Sequence, residues 1–139
     1  MSRRRARERA LGALFAIDVG QTEPNVALEQ ACSEDPLGEE DRAFCRALVN
    51  GAWDARGQID GIVARLSNEW RLERMAPLVR NVLRLAVFEI FFRDDVPATV
   101  SLSEAVELAK RYADPESARF VNGVLAEIYR LATTEHPSR

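Results

Sequence analysis

Five arginines crowd the start of the chain, Arg3, Arg4, Arg5, Arg7 and Arg9, with Glu8 the sole acid among them. A guanidinium is planar, stays charged at any physiological pH, and grips phosphate oxygens through paired N–H donors. On a helix, Arg3/Arg7 and Arg5/Arg9 are like-charged i,i+4 neighbours, and each such pair is mildly destabilising. They also stand near the helix N-terminus, where the macrodipole disfavours cations. Scaffold energetics does not account for this arrangement, whereas a polyanionic partner does. The plain alternative is a solvated helix start carrying surface ion pairs.

A second cluster comes late in the chain. Lys110, Arg111 and Tyr112 precede the break Asp114-Pro115-Glu116, and Arg119 and Phe120 follow it. Aromatic rings interleaved with cations suit single-stranded nucleic acid, whose bases stack while its phosphates are neutralised. Phe120 taken alone reads equally well as a core residue.

Other chemistry is poorly supplied. The one histidine, His136, lies three residues before the last with no partner for acid–base work, and no phosphate-cradling glycine loop is present. Cys32 and Cys45 are too few for a four-ligand metal site, and Cys45 sits in an apolar helical pattern that reads as a buried thiol. Glu89 is the one suspicious carboxylate, embedded in an apolar stretch, and pairing with Arg93 one turn on is its simplest account. The expectation is a protein with no catalytic residue, no cofactor and no metal.

The elements that must position the two clusters follow from apolar periodicity. The stretch Pro77 to Phe92, PLVRNVLRLAVFEIFF, is apolar nearly all round and so must be covered on every side. Its sixteen residues are too few to span a bilayer. Proline suits its first turn, and Val96-Pro97 pushes the chain out of helical space after it. Before it, helices are expected from Ser2 to about Val19, Val26 to Cys32, Glu39 to Ala55 and Gln58 to Asn68, with turns at Glu23-Pro24-Asn25 and Ser33 to Gly38. Trp70 and Leu72 lead into the central helix. After it, Ser101 or Ser103 opens SLSEAVELAKRYA, Ser101 and Glu104 having capping-box spacing. The last helix runs from Ser117 to about Ala132, and His136 to Arg139 should fray. No segment alternates with period two. The fold class is all-α: about seven helices in two small bundles around a buried central helix at roughly 77–93, within one domain whose halves are about 1–56 and 58–133.

Asn-Gly occurs twice inside helical periodicity, in LVNGAW (Asn50-Gly51) and FVNGVL (Asn122-Gly123). Glycine inside a helix costs about 1 kcal/mol against alanine, so close helix–helix approach is expected at both.

With 139 residues, 47% of them hydrophobic, the chain is long enough for one sizeable core. A net charge of −3 conceals the basic start within an otherwise acidic chain. The run ALGALFAI after the arginines faintly imitates a signal peptide, but it is only about eight residues long and no small-residue cleavage site follows. A cytoplasmic protein without a membrane partner is expected.

RRRARERALGALF, VPATVSLSEAVELAKRY and FVNGVL, in that order, closely resemble the NusB family of bacterial transcription antitermination factors, and the likeness runs through essentially the whole chain. The resemblance implies an all-helical fold of two small bundles and binding of boxA RNA jointly with NusE, a small-subunit ribosomal protein. It further implies assembly into the RNA polymerase antitermination complex, chiefly on ribosomal RNA operons. Carried over by position, it puts RNA contacts on Arg3, Arg4, Arg5, Arg7 and Phe15 of the first helix. The other half falls on Glu116, Ser117, Arg119 and Phe120 at the start of the last, beside Lys110 and Tyr112. Phe15 stands where the family commonly has tyrosine, and Ser103 where it usually has asparagine. The NusE surface is expected between residue 58 and the 94–100 loop. A homodimer masking the basic surface, a non-catalytic protein-interaction adaptor, and a stand-alone relative of the helical domains of RNA cytosine methyltransferases remain open.

Overall fold

A computed structural model describes residues 3–33, 37–67 and 75–135. Their regular structure is helical: α1 (Arg3–Asp18), α2 (Pro24–Ser33), α3 (Glu39–Asp54), α4 (Arg56–Ser67), α5 (Pro77–Phe92), α6 (Ala98–Tyr112) and α7 (Pro115–Glu135). The expected cap at Ser2, the helix end at Asn68, the residues Trp70 and Leu72, and the tail from His136 lie outside the described residues. Among those described, no helix is long and apolar enough to cross a membrane.

The apolar girth of α5 is used as its composition requires. It packs against α1, α3, α4, α6 and α7, while α1, α2 and α3 pack on one another and α7 lies along α6 and α4. Val82, Leu83, Val87 and Ile90 of α5 are essentially sealed from solvent, together with Leu14, Leu48, Ile59, Leu125 and Ile128 of the surrounding helices.

The polar residues Asn81, Arg84 and Glu89 of α5 are buried and Arg80 is half-buried, and each has partners. Arg84 donates to both oxygens of Asp60 in α4 (2.9 and 2.8 Å) and to Asp18 at the end of α1 (3.1 Å). Asp18 also accepts from Arg80 and from Asn81. Burial pushes the Asp18 carboxyl up, but the hydrogen bonds from Arg80 and Asn81 and the Arg84 charge more than offset it, leaving it below the usual range. This network ties α1, α4 and α5 at one end of the central helix. At the other end, Glu89 accepts two hydrogen bonds from Arg7 of α1 (both 2.8 Å) and one from the Ser101 hydroxyl of α6 (2.8 Å). The expected Glu89–Arg93 pair is thereby replaced: Arg93 forms a two-point pair with Asp95 (2.9 and 2.8 Å), just past the helix end.

Several helix starts differ from expectation for capping reasons. The turn at Glu23-Pro24-Asn25 is the first turn of α2, where the Glu23 carboxylate accepts from the backbone N–H of Asn25 and Val26. Likewise Asp114 Oδ1 accepts from the Ser117 N–H (2.7 Å) and α7 begins at Pro115. The helix α6 starts at Ala98, directly after Pro97. Ser101 is therefore inside it, and its hydroxyl turns inward to Glu89 rather than capping. After the end of α1 the chain takes a left-handed conformation at Gln21 (φ 54°).

Of the two Asn-Gly sites, only the first is a close approach. A Cβ on Gly51 would lie 2.1 to 2.9 Å from the Phe88 ring of α5, whereas one on Gly123 would meet nothing within 4 Å.

Candidate nucleic-acid interface

The basic start of α1 is not a uniform exposed edge. Arg7 is the clear correction: only 4% of it is accessible, and its guanidinium is spent on Glu89 inside the core. A bidentate pair of this burial does not open to meet an external phosphate, because opening would leave both charges unpaired in the interior. Arg7 therefore belongs to the scaffold, and the expectation that it contacts RNA is set aside.

Arg3 and Arg4 are exposed but engaged. Arg4 forms a two-point pair with Glu104 of α6 (2.9 and 3.0 Å), and Arg3 lies 3.5 Å from Asp95. The Arg3 guanidinium also rests 4.2 Å from the centre of the Phe44 ring, against which Arg7 and Arg93 pack as well. A third cross-pair joins Arg111 of α6 to Glu8 of α1. Exposed pairs of this kind are screened by solvent and weak, so an incoming phosphate can replace the carboxylate on Arg3 or Arg4. Such an exchange trades one anion for another, and the gain per arginine is smaller than for an unoccupied side chain.

The electrostatics follow these pairings. The Arg4 hydrogen bond holds the Glu104 carboxyl below its usual range. The Arg93 hydrogen bonds take Asp95 down to about 2, with Arg3 adding a smaller effect. A depressed carboxyl keeps its pairing above the unfolded value and loses it as pH falls through the folded one. Asp95 should therefore stay ionised through the ordinary acid range and titrate with a midpoint near 2 by carboxyl carbon-13 NMR. Arg93→Ala should move that midpoint back toward 3.8, and an unmoved midpoint would show that Arg93 is not the cause.

The aromatic residues supply what the arginines alone do not. Phe15 of α1 and Tyr112 at the end of α6 are 39% and 48% exposed. Both line one groove of about 230 Å³, together with Leu78 of α5 and with Arg5, Glu8 and Arg9 of α1. Gly12 also lines it, one turn before Ala16, and the missing side chain leaves the groove open. An adjacent groove of about 280 Å³ is lined by Val79, the next residue of α5, with Glu116, Ser117 and Phe120 of α7. Leu78 of α5 thus lines the first groove and Val79 the second. Phe120 is half-buried and packs against the core while presenting part of its ring to this second groove.

Lys110 and Arg119 are exposed and line neither groove, and Lys110 lies 3.8 Å from Glu107. Arg9, a member of the arginine run to which the resemblance assigns no contact, lines the same groove as Arg5; the sequence shows its place in the run but not which face it occupies. Among the described residues no group of acidic, histidine or cysteine side chains is arranged to hold a metal ion.

Comparison with known proteins gives a consistent answer. The NusB family model matches residues 4–130. The transcription antitermination protein NusB of Heliobacterium modesticaldum is 52% identical over 130 residues, covering 94% of this chain and 63% of its own length. This chain thus spans under two thirds of that relative. The corresponding protein of Desulforamulus reducens is 45% identical over 128 residues, 92% of this chain and 90% of its own. Among solved structures, NusB of T. maritima superposes with a TM-score of 0.86 at 34% identity, over 94% of this chain and 92% of that one. A chain from a complex of the antitermination factors NusB and NusE with double-stranded RNA does so with a TM-score of 0.86 at 28% identity, over 93% and 96% of the two chains.

Proposed function

This chain belongs to the NusB family, and from that premise we propose that it binds boxA-type single-stranded RNA together with NusE and acts with RNA polymerase in antitermination on ribosomal RNA operons. It holds the RNA without performing a reaction on it, and it works in the cytoplasm. The observation that carries this reading is the one groove lined by Phe15 and Tyr112, exposed on two different helices, together with Leu78 and Arg5. Two aromatic faces and a guanidinium in one groove match a base stacked beside its own phosphate. The neighbouring groove at Glu116, Ser117 and Phe120 extends the surface along the strand and offers hydroxyl and carboxylate groups to base edges. A structural relative solved with both NusE and RNA supports the choice of partners.

Titration of boxA RNA with and without NusE, against a scrambled strand, tests it. Neutralising three to five phosphates should give a log–log salt slope of roughly −2 to −3.5 for a single strand. Arg5→Ala with Phe15→Ala should weaken binding and flatten the slope while thermal unfolding stays nearly unchanged, since both side chains are exposed. Binding should tighten when NusE extends the surface. Equal affinity for boxA and scrambled RNA in NusE's presence would overturn the proposal.

A further inference from the structure

Neighbouring residues of a helix point about 100° apart, and on α1 that rotation divides the arginines between two surfaces of opposite charge. Arg5 and Arg9 line the Phe15–Tyr112 groove with Glu8, two guanidiniums to one carboxylate among the described residues. Arg4 lies instead in the seam between α1 and α6. There it meets Arg111 and the acids Glu8, Glu104 and Glu107, so that carboxylates outnumber guanidiniums. Glu8 lines both surfaces and marks the divide.

Glu104 is what holds Arg4 in the seam. Its side chain is only 18% accessible, and its two oxygens accept from Nε and Nη2 of Arg4 (2.9 and 3.0 Å). Glu107 and Glu8 add their negative charge nearby. A two-point pair fixes the plane of a guanidinium and occupies the donors that a phosphate would use. A phosphate reaching Arg4 must therefore displace Glu104 and pass two further carboxylates. The scaffold has little need of the pair, because α6 is already held by packing on α5 and α7, and an exposed ion pair adds little to such packing. Its effect falls on whatever approaches the seam.

We propose that Glu104 is a specificity-determining residue of the RNA interface: by holding the Arg4 guanidinium it closes the α1–α6 seam to phosphates, so that a strand gains affinity only by lying in the groove. The proposal rests on the RNA reading above and deepens it. Sequence-independent binding grows with the number of cations a strand can neutralise. Selectivity is a difference of affinities, and weakening the wrong complex raises it as surely as strengthening the right one. A boxA strand seated in the groove runs beside Arg5 and Arg9 on the far side of Glu8 from Arg4. A strand without that register is drawn to whichever guanidiniums are open to it.

The test compares boxA and scrambled RNA, with NusE present, on the wild type and on Glu104→Gln, which keeps the side chain's size and removes its charge. For scrambled RNA the variant's log–log salt slope should be steeper by about 0.7, one phosphate's share on a single strand, so that the two proteins diverge about fivefold for each tenfold dilution of salt. BoxA should gain less than about twofold, and the ratio of the two affinities should fall. Adding Arg4→Ala should remove the gain. Glu127→Gln makes the same change of net charge at an exposed pair with Arg130, about 15 Å along α7 from Ser117, and should leave scrambled binding unchanged. Thermal unfolding should stay nearly the same in Glu104→Gln. If the wild type prefers boxA but Glu104→Gln alters neither affinity, the selectivity role is refuted and the RNA reading stands. If Glu127→Gln does as much, net charge is the cause and the proposal is wrong. If the gain survives Arg4→Ala, Glu104 does not act through Arg4, and the proposal is again wrong. If the wild type shows no preference for boxA, the RNA reading falls and this proposal with it.

Discussion

Glu89→Ala is expected to destabilise this protein more than any substitution on its nucleic-acid face, by about 3–5 kcal/mol in urea unfolding. Glu89 is 1% accessible and Arg7 4%, and the carboxylate also accepts from the buried Ser101 hydroxyl. Removing it strands a guanidinium and a hydroxyl in the interior at once. A domain of this size has only about 5–15 kcal/mol of stability to lose, so the variant should be marginal or unfolded at ordinary temperatures. Replacing both partners, Arg7→Met with Glu89→Leu, should recover much of the loss, because an apolar pair of similar volume carries no unpaired charge. That double variant also separates scaffold from contact: if it folds and binds RNA as the wild type does, Arg7 has no direct role there. A cost below about 1 kcal/mol for Glu89→Ala would mean that the pair is far better solvated than its burial indicates.

The Arg7–Glu89 pair also shows where sequence reasoning stops. The central helix was evident because apolar residues surround it at helical spacing, and α5 has the bounds that pattern predicts. Glu89 stood out for the same reason, as a charge where none belonged. Its partner did not, because i+4 neighbours are visible in a sequence while a residue 82 positions away is not. In the sequence the arginine run reads as one surface. A helix start packed against other helices has a buried side, and Arg7 falls on it with Ala6 and Ala10. Which arginines face out depends on the rotation of α1 about its axis, and that is set by packing.

The two halves of the candidate site illustrate the same boundary. That Tyr112 is a potential stacking residue follows from its type and charged neighbours, whereas Phe15 enters only through the family resemblance. That they share a groove with Leu78 depends on how α1, α5 and α6 pack, which no spacing within one helix shows. Proline and capping signals were similarly double-edged. Pro24 and Pro115 looked like interruptions between elements, yet each opens a helix, because a first-turn residue has no intrahelical use for its N–H.

The two Asn-Gly sites give the last expected result, because similar hexads should respond oppositely to the same change. Gly123 is exposed and a Cβ there meets nothing, so Gly123→Ala should gain close to the helix-propensity difference, about 1 kcal/mol. At Gly51 the same gain is opposed by the Phe88 ring, whose atoms would lie 2.1, 2.3 and 2.9 Å from the added carbon. Real carbon atoms do not approach so closely, and Phe88 is held in turn by stacking on Phe92, with ring centres 5.5 Å apart and planes 15° from parallel. Either the ring leaves that stack or α3 moves off α5. Overpacking of this kind costs about 1–3 kcal/mol and occasionally more, so the net change should be a loss. Differential scanning calorimetry should show the Gly123→Ala midpoint rising and the Gly51→Ala midpoint falling, by about 2–4 °C per kcal/mol for a chain near this length. Trimming the obstacle, Gly51→Ala with Phe88→Leu, should be less unstable than the sum of the two single changes, since each relieves the strain or the void left by the other. Equal stabilisation by both alanines would show that Phe88 yields freely and that the contact between α3 and α5 is looser than its geometry implies.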